Sequence, residues 1–209
     1  MHPGIRAGIL AAMTVVITAC GGGDVSLGRP AIKVDDLIRR SAPMAGDDAK
    51  VCPVPYDVNA AAKAAGIGGS AAPADTTPVT VTNSDSADAG SFLKSVAPAV
   101  EIECFYEIGA TEVKTALLVT SKANSAFDGL LPTVVAWSDS RLSEVRGLAA
   151  GQASVKPGDV VTVPSGKAAI DKLEVPGGDG ALVVVFDPAE GFSTAQLTKL
   201  TDTLATQVR

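Results

Sequence analysis

The stretch Val100-Glu101-Ile102-Glu103-Cys104-Phe105-Tyr106-Glu107-Ile108, then Gly109-Ala110, then Thr111-Glu112-Val113-Lys114-Thr115-Ala116-Leu117-Leu118-Val119-Thr120, decides the fold. A strand sends successive side chains to opposite faces. Val100, Ile102, Cys104, Tyr106 and Ile108 therefore share an apolar face, and Glu101, Glu103, Phe105 and Glu107 share the other. Gly109-Ala110 suits a two-residue type II′ turn, with glycine where φ must be positive. That turn pairs Ile108 with Thr111, Tyr106 with Val113, Cys104 with Thr115, Ile102 with Leu117 and Val100 with Val119, so the apolar faces coincide. It also sets Glu107 opposite Glu112, a repulsion that Lys114 on the diagonal can relieve.

Downstream of this hairpin, Phe127, Leu130, Leu131, Val134 and Trp137 have helical spacing, while Pro132 and the β-branched Thr133-Val134-Val135 argue for a break; residues 125–150 read as a helix followed by an unassigned stretch. Segments 159–163 and 167–175 flank Pro164-Ser165-Gly166 as a second hairpin. The unbroken apolar run from Ala181 to Phe186 suits a central strand. Ser193 and Gln196 form a capping box, Phe192 and Leu197 stand at hydrophobic-staple positions, and Leu197, Leu200, Leu204 and Val208 make one stripe of a closing helix.

Upstream, Val34-Asp35-Asp36-Leu37-Ile38 is compatible with a short strand or a helical turn. Asp57 can cap a helix running to Ala65, with Gly66 at its stop. Segment 68–77 is a loop leading to a short strand at 79–82, and Ala89, Phe92 or Leu93, and Val96 recur at helical spacing until Pro98. Hairpins followed by a terminal amphipathic helix predict an α+β domain: a single antiparallel sheet with helices packed mainly on one face.

The N-terminus carries a different message. Residues 7–19 form an apolar run behind Arg6, the length of a signal-peptide core and well short of the roughly 20 residues a membrane span requires. Ile17-Thr18-Ala19-Cys20 resembles the lipobox of bacterial lipoproteins. The resemblance implies cleavage before Cys20, a diacylglyceryl thioether on its sulfur and acylation of the new N-terminus, with the protein held on the outer, extracytoplasmic face of the cell membrane. Each buried methylene contributes roughly 0.8 kcal/mol, so two or three acyl chains suffice as an anchor. The expected organisation is a signal peptide over 1–19, a lipidated Cys20 with a Gly-rich tether over 20–32, and one domain over 33–209.

Processing leaves 16 basic side chains (17 less Arg6) against 23 acidic ones, a formal −7. Neither a basic cluster nor an aromatic series is present, so no nucleic-acid partner is expected. The same cut removes His2, the only histidine, and with it any Ser-His-Asp or Cys-His pair, histidine base or histidine metal ligand. With Cys20 acylated, Cys52 and Cys104 remain as an even pair in an oxidising compartment, and a disulfide between them is expected. Closing a loop of about fifty residues stabilises a fold by roughly 4 kcal/mol. No metal site or cofactor is expected.

Candidate chemistry is sparse. Ser91-Phe92-Leu93-Lys94 fits S-x-x-K, but Lys114-Thr115-Ala116 only approximates the companion K-T-G. Asn83, Asp85 and Asp88 suggest a calcium loop yet lack its turn glycine. Segment 187–191 turns the chain into the last helix. Glu101, Glu103 and Glu107 share a face that could hold an acid/base pair, although a solvent-facing polar side is the commoner use of such a face.

The order of parts resembles small exported domains of mycolic-acid-bearing actinobacteria, among them lipoproteins of unknown function and the extracytoplasmic sensor domain of some mycobacterial serine/threonine kinases. Cys52 with Asp57-Val58 and Gly66, Cys104-Phe105-Tyr106, Val145-Arg146-Gly147-Leu148 and the 197–208 helix carry it. This chain departs from that pattern at Tyr106 and Ala149, where Trp and Gly are usual, and it lacks the second disulfide of the kinase sensors. The expectation is a non-enzymatic binding, sensor-like or assembly domain for an envelope protein or glycan. The alternative is a carrier that holds an apolar or lipid ligand between sheet and helices.

Overall fold

A computed structural model describes residues 29, 31–49, 51–73, 77–82, 91–186 and 192–208. Among them lie eight strands: β1 (Gly46–Ala49), β2 (Ala71–Pro73), β3 (Thr77–Thr82), β4 (Ala99–Ile108), β5 (Thr111–Thr120), β6 (Val160–Thr162), β7 (Ala168–Leu173) and β8 (Asp179–Phe186). They form one antiparallel sheet in the order β1-β3-β4-β5-β8-β7-β6, with β2 paired to the far end of β4 beyond β3. Six α-helices accompany it: α1 (Val34–Ser41), α2 (Val58–Ala64), α3 (Ser91–Ser95), α4 (Ala126–Ser138), α5 (Leu142–Gly151) and α6 (Thr194–Ala205). The α+β class follows.

The β4–β5 hairpin has the register its sequence implies, from Ile108 opposite Thr111 to Val100 opposite Val119. Gly109 takes the positive φ of the turn (+64°). Glu107 does face Glu112, and Lys114 lies 3.3 Å from the Glu112 carboxylate. Strand β8 sits between β5 and β7 and is buried along its whole length. Two helix starts are also as expected. Ala60 N–H donates to Asp57 Oδ1 at 2.9 Å, and Ser193 and Gln196 close a reciprocal capping box.

Three expectations need correction. The helices are not mainly on one face. Helices α1, α2 and α6 cover the face of Ile102, Leu117 and Leu182, while α3, α4 and α5 cover that of Leu118, Ile170 and Val183. The polar face of β4, continued by Glu112 and Lys114 of β5, gives way across the sheet to Ala116 and Leu118 of β5, Ala181, Val183 and Val185 of β8 and Ile170 of β7, and a sheet buried on both faces needs cover on both.

The domain also begins before residue 33. Ile32 is buried in the first core and its N–H donates to Glu174 O at 3.0 Å. Arg29 pairs with Asp171 of β7 and, at 2.5 Å, with Asp202 of α6. These contacts link residues far apart in sequence, so composition alone placed the segment in the tether.

Finally, α4 runs unbroken through Pro132. Proline in a helix interior costs about 3 kcal/mol, whereas burying Phe127, Leu130 and Val134 contributes about 1.5–3 kcal/mol each, so burial prevails. Pro132 itself faces solvent. The segment at 34–38 is helical, with Leu37 of α1 fully buried.

Candidate functional site

The segment before α2 builds the most distinctive surface feature. Pro53 and Pro55 favour extended backbone in the residues before them, and Cys52 is joined to Cys104 in the middle of β4, with Cα atoms 5.7 Å apart. The bridge holds Tyr56 edge-on against Tyr106, the ring centroids 6.4 Å apart. Across from them, Asn59 clamps β2: its Oδ1 accepts from Ala71 N–H at 2.7 Å and its Nδ2 donates to Ala71 O at 3.3 Å. Between this segment and β2 lies a cleft of about 240 Å³, walled by Val54, Pro55, Tyr56, Ala72, Pro73 and Tyr106. Val51 stands on its rim, 68% exposed.

The two phenols stay neutral. Burial raises the pKa of Tyr56 well above its ordinary value, with Tyr106 adding to the effect, and burial likewise raises Tyr106. The Tyr56 hydroxyl is buried with no hydrogen-bond partner among the described residues, and such a group carries a desolvation cost of about 1–3 kcal/mol. The lining of the cleft is thus mainly apolar, with Asp57 and Asn59 as its polar members beside the two phenols.

The glutamates of β4 behave differently. Burial, then repulsion from Glu103, pushes Glu101 up to about 7. Burial raises Glu103 as well. The two are half-buried neighbours on one strand face, and neither lines the cleft.

Other residues singled out from the sequence are dispersed. Cys20, His2, Asn83, Asp85, Asp88 and segment 187–191 lie outside the described residues. Lys94 is an exposed residue of α3, and Thr115 is buried in β5, its hydroxyl donating to Cys104 O at 3.1 Å. Among the described residues no group of three His, Cys, Asp or Glu side chains could hold a metal ion. Among the same residues no helix is long and apolar enough to cross a membrane.

Sequence reasoning missed Tyr56, although two prolines lying between a cysteine and an aromatic residue, as in Cys52-Pro53-Val54-Pro55-Tyr56, mark a constrained surface segment. It also missed the Arg29–Asp171–Asp202 cluster, which has no local signature. Family models, characterised proteins and solved structures provide no match to this chain.

Proposed function

We propose that this chain is a lipid-anchored protein of the bacterial cell envelope, held on the outer face of the membrane through Cys20, whose domain works by binding a protein partner and performs no covalent chemistry. The carrying observation is the cleft beside the Cys52–Cys104 bridge. Whole small-molecule ligands occupy pockets of roughly 300–1,000 Å³. At about 240 Å³, bordered by exposed Val51, this cleft suits one apolar side chain of a partner better than an entire lipid. Interface anchors are commonly single apolar or aromatic residues in such recesses, ringed by residues that exclude water. The carrier reading has less support: both faces of the sheet are packed by helices, with the intervening side chains in two buried clusters. The resemblance to small actinobacterial lipoproteins and kinase sensor domains agrees with a tethered binding role.

Photo-crosslinking tests this reading. A crosslinking side chain at Ala72, exposed on the cleft wall, should trap one discrete protein in intact cells, and Val51→Asp should abolish the adduct. A crosslinker at exposed Asp35 serves as the control. Capture of lipid alone, or equal adducts at both positions, would overturn the binding reading. Separately, Cys20→Ser should release the protein from the membrane fraction; retention at wild-type levels would overturn the anchor.

A further inference from the structure

A second recess, independent of the cleft beside the disulfide, lies on the opposite face of the sheet. It has a volume of about 260 Å³ and is bounded by Glu112 and Lys114 of β5, Trp137 and Asp139 at the end of α4, and Lys167 just before β7. We propose that it binds a single ring of a neutral glycan.

The charges argue for an uncharged, hydroxyl-rich ligand. Two ammonium and two carboxylate groups border the recess, so it offers no net charge to an ion. Lys114 and Glu112 are already paired at 3.3 Å. Lys167 and Asp139 are not: among the described residues neither charged group has a hydrogen-bond or ion-pair partner. An ammonium only donates and a carboxylate only accepts, whereas a hydroxyl does both. Adjacent hydroxyls on one ring therefore satisfy Lys167 and Asp139 together. A phosphate or carboxylate ligand would meet Lys167 and be repelled by Asp139 and Glu112.

The remaining wall combines the aromatic Trp137 and Phe186 with Ser138 and Val185. Trp137 is half-buried and braced by Phe105, with centroids 5.6 Å apart and the rings tilted by 58°. The indole is thus held in place before any ligand arrives, and such preorganisation removes part of the ordering cost of binding. It gives the C–H side of a sugar ring an apolar contact while the hydroxyls meet the charged groups. Asp139 closes the recess from a left-handed backbone position (φ 50°), which asparagine also tolerates.

Trp137 is the chain's only tryptophan, so its emission reports on the recess. The full chain, dispersed in a detergent without a sugar head group, would be titrated with maltotriose, cellotriose, tri-N-acetylchitotriose and inorganic phosphate. Concentrations would reach about 10 mM, enough to fill a site with a Kd of about 1 mM. The expected result is saturable change with at least one sugar and none with phosphate. Lys167→Met and Asp139→Asn should each weaken that sugar about tenfold or more while leaving the thermal melt unchanged. Response to phosphate alone, response to no sugar, or sugar binding indifferent to both substitutions would overturn the proposal.

Discussion

Asp179, the first residue of β8, caps helix α4 from across the sheet: its Oδ2 accepts from the backbone N–H groups of Ser125 and Ala126, each at 2.8 Å. Ser125 occupies the cap position but makes no capping bond with its own side chain; its hydroxyl donates to Lys122 O at 2.6 Å. A buried carboxylate thus supplies the negative charge that a helix N-terminus favours.

Replacing Asp179 should accordingly cost more than replacing the local cap residue. Asp179→Ala removes two charge-assisted hydrogen bonds and should destabilise the domain by about 2–3 kcal/mol, whereas Ser125→Ala should cost about 1 kcal/mol or less. Urea unfolding of the two variants measures this; an equal or reversed order would show that α4 starts independently of β8.

Arg29 and Ile32 should count as part of the folded unit. Shortening the chain to begin at Lys33 strips Ile32 from the core and leaves Asp171, a 0% exposed residue, without its cation. The combined loss should be about 3 kcal/mol or more. Arg29→Met should reproduce part of it. Denaturation midpoints matching those of the longer chain would place both residues outside the fold.

Stability should fall as the solution becomes alkaline. Burial raises Glu101 from its ordinary 4.5 to about 7, and raises Asp171 from 3.8 to about 6 against the opposing pull of Arg29. Between the ordinary and raised values the folded protein holds protons that the unfolded chain has lost. The resulting stabilisation is fully present below about 4 and is lost as pH climbs through about 6 and 7. The melting temperature should thus be higher near pH 5 than near pH 8. Glu101→Gln should flatten that difference and stabilise the protein near pH 8 by on the order of 1–2 kcal/mol. Thermal melts at the two pH values check the sign.

The Cys52–Cys104 bridge spans a sequence separation of 52, for which loop-closure entropy corresponds to roughly 4 kcal/mol. The double variant Cys52→Ala, Cys104→Ala should melt about 8–16 °C lower, at about 2–4 °C per kcal/mol for a chain of this size. The cleft between Tyr56 and Ala72 should also loosen, which hydrogen exchange over residues 51–59 would detect. Unchanged exchange there would mean that the segment is held by packing alone.

What the sequence determined by itself is local and periodic. Alternation along 100–120 together with Gly109 specified the hairpin register, because a slip of one residue would turn every apolar side chain to the wrong face. Asp57 and the Ser193–Gln196 pair announced their helices, because a capping side chain reaches only two or three residues along its own chain. The even cysteine pair left after Cys20 was enough to expect a bridge. Tertiary structure alone decided the features that join distant segments: Asp179 capping α4, Arg29 docking on Asp171 and Asp202, and α4 surviving Pro132 because the second sheet face buries it. It alone brought Tyr56 beside Ala72, and Trp137 beside Lys167. No periodicity within one segment records which side chains a different segment will bring within hydrogen-bonding distance, so both recesses emerge only when the sheet and its two helical layers are assembled.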